Sequence, residues 1–275
     1  MTPSDVSSAV HLAHQAGWNQ LESDWARLLE HEPQGCFVAD VDGRIVGTVT
    51  STAYGNDLAW IGMMLVHESY RRQGIASELM TRCLNNLRSR SIRCIKLDAT
   101  PVGEPVYEKL GFQAEWTFHR WCVDTIDPQH LLDKGDSETG TVVSRGQQLF
   151  DSNTALDHVA FGTDRVTWLK RLTSDSDCIA TGQGFGMMRS GHLANYLGPI
   201  IAETPTDAMQ IARRLLLRST TRVFWDIPGP NRDAVALAKS FGFRPVRDLT
   251  RMWIGDGLLP CDLSHQYALS DPGTG

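Results

Sequence analysis

Met63-Met-Leu-Val-His-Glu-Ser-Tyr-Arg71-Arg72-Gln73-Gly74-Ile75-Ala76-Ser77 runs from an apolar stretch, through a short polar loop, into a helical pattern. Trp60 to Val66 is almost continuously apolar, the signature of a strand buried on both faces. From Ser77 to Arg88 apolar residues recur at helical spacing. The loop between them holds two arginines and a glycine. A helix N-terminus presents unpaired N–H groups and the positive end of the peptide dipoles. Gly74 lets the backbone approach a ligand closely, and Ala76 keeps the first turn slim. The arrangement suits an anion such as a pyrophosphate. Judged alone, so short a motif competes evenly with a plain strand-to-helix connection carrying solvated arginines, and the rest of the chain has to decide.

Upstream, Val6 to Leu29 reads as two short helices broken near Gly17, the second entered near Ser23 or Asp24. Cys36-Phe-Val-Ala-Asp, then Asp42-Gly43, then Arg44-Ile-Val-Gly-Thr-Val-Thr is a β-hairpin with an Asp-Gly turn. Downstream come a strand over Ile92 to Ala99, a helix over Glu104 to Leu110 stopped by Gly111, and one or two strands over Phe112 to Val123. The order α-α-β-β-β-α-β-α-β describes an α/β (α+β) fold, a mixed sheet flanked by helices. At Asp124 the pattern breaks, and a second run of elements follows a polar stretch.

The second run echoes the first. Tyr107-Glu-Lys-Leu-Gly-Phe is answered by Ala238-Lys-Ser-Phe-Gly-Phe, with an offset of 131 residues for the glycines, for Phe112 and Phe243, and for Arg120 and Arg251. Lys96-Leu-Asp98-Ala-Thr-Pro101 is matched by Phe224-Trp-Asp226-Ile-Pro228. Cys178-Ile-Ala-Thr is matched by Cys36-Phe-Val-Ala, and Leu193 to Glu203 stands where Trp60 to Glu68 would. Matches in one order at nearly one offset indicate a tandem repeat of one fold. The expected division is a first module over 1–125, a linker over 126–141 and a second module over 142–275. At roughly 150 residues per domain, 275 residues suit two units.

Composition narrows the function classes. Hydrophobic residues at 41% can fill two cores, which excludes a largely disordered chain. A net charge of −6 disfavours sequence-independent nucleic-acid binding, which needs a cationic face. The six cysteines form no Cys-x-x-Cys pair and sit among apolar neighbours, so buried free thiols in a reducing compartment are expected, with no metal. Met1-Thr-Pro-Ser-Asp lacks the features of a secretion signal. The apolar runs are too short to span a bilayer. A cytoplasmic protein with no membrane partner is the expectation.

With the following helix and its Tyr107-Glu-Lys-Leu-Gly-Phe ending, Arg71-x-x-Gly74-x-Ala76 resembles the Gln/Arg-x-x-Gly-x-Gly/Ala signature of the GNAT acetyltransferase superfamily. The resemblance covers residues 5 to 122, and the second half is similar to a diverged module of the same kind. It implies an acetyl-CoA-dependent N-acetyltransferase that transfers directly to a primary amine of a small molecule or peptide. It implies that Arg71, Arg72, Gln73, Gly74, Ile75, Ala76 and Ser77 hold the pyrophosphate. Met64, Leu65 and Val66 would offer main-chain bonds to pantetheine. The Val66 N–H would polarise the thioester carbonyl, and Tyr107 would protonate the departing thiolate. The family's asparagine seven residues before that tyrosine is replaced by Thr100, and Gly103 stands where alanine is common. A non-catalytic acyl-CoA-binding module on the same fold is the alternative.

The repeat sharpens these assignments. Ala238 replaces Tyr107 in the second copy, and Ile201-Ala-Glu-Thr-Pro-Thr-Asp runs towards a helix from Ala208 with no Arg-x-x-Gly. The first module is therefore the expected CoA binder, and the second packs against it and walls the acceptor pocket. Asp98 and its counterpart Asp226 suggest a shared structural role, although either could face the acceptor. Trp18 and Asn19 stand at a helix–helix turn that borders the acceptor in similar proteins. Glu22, Asp24, Asp57, Glu68, Asp98 and Glu104 are candidate bases. His192, Tyr196 and Asn231 are weak candidates near strand ends, and Asp164 equally suits a helix start. A homodimer stays open.

Overall fold

The computed structural model describes residues 1–132 and 153–275. The first repeat has helices α1 (Val6–Gln15) and α2 (Glu22–His31), strands β1 (Cys36–Val41), β2 (Arg44–Tyr54) and β3 (Leu58–Val66), helix α3 (Ile75–Ser89), β4 (Cys94–Ala99), α4 (Glu104–Lys109) and β5 (Gln113–Val123). A short helix α5 (Pro128–Leu132) follows. The second repeat has α6 (Thr154–Phe161), α7 (Val166–Leu172), β6 (Ser176–Thr181), β7 (Gly184–Arg189), β8 (Asn195–Ala202), α8 (Pro205–Leu216), β9 (Val223–Pro228), α9 (Arg232–Ser240), β10 (Arg244–Gly255) and β11 (Gln266–Ala268). The linker expected over 126–141 falls largely on residues outside those described.

Local chemistry explains the boundaries. Asp42 and Gly43 both take positive φ, 53° and 78°, the turn that an Asp-Gly pair favours between twisted strands. Helix α2 starts one to two residues before the expected Ser23 or Asp24. Asp24 instead lies inside the first turn and accepts the Leu21 N–H at 2.8 Å, where a carboxylate also meets the positive end of the helix. Helix α8 likewise begins three residues before Ala208. Thr204 caps it by accepting the Asp207 N–H at 3.2 Å, and Pro205 takes the first helical position.

The two sheets expected from the repeat are joined into one, in the order β1-β2-β3-β4-β10-β5-β9-β8-β7-β6, with β11 alongside β8. Among the described residues only β3–β4 and β8–β9 run parallel. The last strands of the two repeats are exchanged. Strand β10 of the second repeat lies against β4 of the first, and β5 of the first lies against β9 of the second. They meet each other antiparallel, with Phe118 opposite Leu249, Trp116 opposite Arg251 and Arg120 opposite Arg247. Adding 131 to one strand and subtracting it from the other exchanges the last two pairs, so a local two-fold relation runs through the middle of the sheet.

Helices of both repeats cover the two faces. On one face α1, α2, α6 and α7 share a core with Trp25, Leu28, Trp60, Phe161 and Trp168. On the other, Leu79, Met80, Cys83 and Leu87 of α3 pack on Ile61, Ile95, Leu97 and Met252. Met252 arrives on the exchanged strand. Each fully buried side chain of this size contributes about 1.5–3 kcal/mol. The six cysteines are free thiols, five of them buried, and burial pushes Cys36 and Cys83 up to about 12. No helix among the described residues is long and apolar enough to cross a membrane.

Candidate active site

Strands β3 and β4 pair only over Leu58–Ile61 and Cys94–Leu97. Beyond Ile61 they diverge, and among the described residues one edge of β3 has no strand partner. Two residues, Met63 and Met64, oppose Val49 alone in the β2 register. Met63 takes φ +50°, a conformation uncommon for a side-chain-bearing residue. The Thr48 hydroxyl pins this bulge by donating to the Met63 carbonyl at 2.7 Å. After the bulge the His67 N–H donates to Val46 O at 2.8 Å. Amide groups alternate sides along a strand, so the Val66 N–H points the other way, into the open edge. Arg71 Nε donates to the Val66 carbonyl at 3.1 Å, fixing the strand end to the loop.

The loop turns at Arg72, φ 62°, and at Gly74, φ 84°. Helix α3 begins at Ile75, and its first intrahelical bond runs from the Glu78 N–H to Gly74 O at 3.0 Å. The N–H groups of Ile75, Ala76 and Ser77 precede that bond and face outward with the helix dipole behind them. A Cβ at Gly74 would meet nothing within 4 Å, so it is the positive φ that asks for glycine there.

The cavity between the diverging strands measures about 540 Å³, and Met64, Leu65, Val66, Arg71, Ala76, Ser77 and Tyr107 all line it. Tyr107 packs edge-on against Phe112 at 6.1 Å, and burial pushes its hydroxyl up to about 12. That hydroxyl keeps its proton and has no hydrogen-bond partner among the described residues.

The acetyltransferase (GNAT) family matches residues 7–112, and a GNAT acetyltransferase domain matches residues 154–268. The chain belongs to the GNAT superfamily. It is a tandem GNAT acyltransferase, and the two matched regions fall on the two repeats. It is 28% identical over 277 residues to the uncharacterised N-acetyltransferase YitH of Bacillus subtilis, covering 98% of this chain and 95% of that protein. An acetyltransferase of Yersinia pestis is 32% identical over 103 residues, 36% of this chain and 72% of its own. The crystal structure of a "putative acetyltransferase" from Pyrococcus horikoshii superposes with a TM-score of 0.87 at 26% identity, over 100% of this chain and 94% of that one. A tandem GNAT protein from the clavulanic acid biosynthesis pathway shares the fold, with a TM-score of 0.65 at 16% identity over 93% and 96% of the two chains.

The remaining candidates of the tandem GNAT chain are placed as follows. The Asp98 side chain has no exposed surface, and both its oxygens accept from Arg251, at 2.9 and 3.0 Å. Burial pushes this carboxyl up to about 6 against the pull of Arg251. Asp226 is held in the same way by Arg120, at 2.8 and 2.7 Å, and also accepts the Tyr196 hydroxyl at 2.9 Å. These are buried clamps between the repeats. Trp18 and Asn19 line the cavity. The Asn19 amide is committed to the second repeat, accepting the Leu193 and Ala194 N–H groups at 2.8 and 3.0 Å and donating to Ala194 O at 3.0 Å. Asp24 is tied to Arg27, Asp57 to Arg93, and Glu104 accepts the Thr250 hydroxyl. Glu22 and Glu68 are exposed. Asp164 accepts the Val166 N–H at the start of α7. Asn231 caps α9, and His192 stacks on His14 at 3.6 Å.

Sequence reasoning missed Pro272 to Thr274. Pro272 and Gly273 form part of the cavity wall. Tyr54 donates to Thr274 O at 2.6 Å and Trp60 Nε1 to Pro272 O at 3.2 Å, while a Cβ on Gly62 would collide with the Gly273 backbone. The Pro-Gly pair is a turn signal, but nothing in it tells where the turn docks.

Proposed function

We propose that the first module is an acetyl-CoA-dependent N-acetyltransferase that acts on a primary amine of a small molecule or peptide, by direct transfer while both substrates are bound. One observation carries this reading: a strand-edge N–H at Val66 and an unpartnered, protonated Tyr107 hydroxyl share one cavity with an open helix N-terminus. The α3 N–H groups and Arg72 suit a pyrophosphate, and the open edge of β3 suits the amide groups of a pantetheine arm. Acetyl-CoA supplies the acetyl group as a thioester.

The neutral amine forms the new C–N bond as the C–S bond breaks. The Val66 N–H donates to the oxygen that gains charge in between. Tyr107 gives its proton to the leaving sulfur and regains one from solvent, and the amine's extra proton leaves through the open cavity. In Tyr107→Phe, kcat falls by about 10²-fold, with acetyl-CoA affinity unchanged in a calorimetric titration. Unchanged turnover removes Tyr107 as the acid. Because burial holds Tyr107 at about 12, wild-type kcat does not fall up to about pH 10, where an ordinary phenol is half ionised. If acetyl-CoA binds but no amine in a broad panel releases CoA, the transferase reading fails.

A further inference from the structure

The two-fold relation between the repeats creates two equivalent arginine centres on the α1–α2 face of the sheet, and they are finished differently. At the first, Arg251 is neutralised by Asp98 and packed between Trp60 at 4.2 Å and Trp116 at 4.4 Å. At the second, Arg120 is neutralised by Asp226 and lies near Phe224 at 5.1 Å and Tyr196 at 5.7 Å. The residue equivalent to Trp116, 131 positions on, is Arg247. The aromatic lid of one centre is thus a second guanidinium in the other.

Arg247 lies directly opposite Arg120 on the neighbouring strand. Like charges so placed repel. Arg247 is half-buried, and it has no hydrogen bond or ion pair among the described residues. Burial and the charge of Arg120 lower its pKa, against the pull of Asp226. Both oxygens of Asp226 are already taken by Arg120, and the nearby Asp271 is held by Arg189, so Arg247 has no carboxylate of its own. Arg120 and Arg247 both line the cavity that holds Val66 and Tyr107. Arg247 shares its strand face with Leu249 and Arg251, on the side of Trp18 and Pro272, away from α3 and its pyrophosphate-type site.

We infer that Arg247 is the seat of a carboxylate on the acceptor, so that the substrate is an amine carrying a carboxylate. The inference rests on the transferase reading above and adds the acceptor's chemical class. A guanidinium fork matches a carboxylate bidentately. A single unpartnered guanidinium matches one carboxylate, whereas a phosphate brings about −1.5 to −2 at pH 7 and calls for more than one cation.

The test is an acceptor series: glycine, β-alanine, 4-aminobutyrate and 6-aminohexanoate, each beside its primary amide, with O-phosphoethanolamine as the rival anion. The expected result is that at least one amino acid exceeds its own amide by about tenfold or more in kcat/KM. Arg247→Met should abolish that preference by raising KM for the carboxylate substrate, with kcat and the acetyl-CoA KM held within about twofold. Arg247→Lys should keep part of the preference. Because removing Arg247 relieves repulsion, the thermal midpoint of Arg247→Met should not fall, and Arg247→Trp, which copies the other centre, should fold at least as well.

Equal use of acids and amides across the series, or use of O-phosphoethanolamine alone, overturns the inference while leaving the transferase intact. If none of these amines is acetylated, calorimetric titration of the same series into CoA-saturated protein decides. Amino acids that bind more tightly than their amides to wild type, and not to Arg247→Met, support the carboxylate seat, and the failure then belongs to the transferase reading. No difference overturns the seat.

Discussion

In the first module the chain leaves β3 through Arg71, Arg72 and Gly74 and enters α3 with the helix N-terminus open. In the second it leaves β8 and enters α8 within three residues, and Thr204 closes the N-terminus with its own side chain while Asp207 places a carboxylate in the first turn. Both helices expose the same orphan N–H groups in principle. The first leaves them without a side-chain cap, and the second covers the Asp207 N–H with Thr204 and adds a carboxylate to the first turn. If the α3 N-terminus is the cofactor site proposed above, ordinary helix capping is enough to remove such a site from a fold, with the core left alone.

The arginine clamps give the most severe way to break the comparison. Arg251→Met and Arg120→Met each strand a buried carboxylate, Asp98 or Asp226, whose side chains have no exposed surface. Each should lose about 3–5 kcal/mol in urea unfolding. Similar losses support equivalent clamps; a loss below about 1 kcal/mol for one of them would show that the two-fold relation is geometric only. Next, Gly74→Glu should weaken acetyl-CoA binding by at least about tenfold, roughly 1.4 kcal/mol, as read by calorimetry. Unchanged affinity means that the loop does not face the pyrophosphate. The mildest is Thr204→Ala, which should cost about 1 kcal/mol of stability and leave acetyl-CoA affinity untouched. A change in that affinity would mean that the second module still takes part in cofactor binding.

How far the sequence could be read follows from the range of each signal. The Asp42-Gly43 turn and the Arg-x-x-Gly-x-Ala loop are local patterns, the repeat shows when the chain is compared with itself, and each lies where it was expected. The strand exchange was not legible. Strands β5 and β10 carry similar alternation, and nothing in either says whose edge it will join, because pairing is settled over more than a hundred residues of separation. Asp98 and Asp226 were recognisable as a matched pair from their survival in both copies, yet their partners became visible only once β5 and β10 had crossed. Arg247 carried no signal at all. Its meaning comes from standing opposite Arg120 in the place of a tryptophan, a relation that exists only in the assembled sheet.

The exchange also sets a clock on synthesis. Strand β4 is finished early, but the strand that covers its edge begins at Arg244. At roughly 5–20 residues per second, the ribosome needs on the order of ten seconds to move from the end of β5 to the start of β10. Throughout that interval the nascent first module carries a bare strand edge and an Asp98 without its arginine. The half that holds Tyr107 is thus encoded first and completed last, and its maturation waits on the half in which alanine replaces that tyrosine.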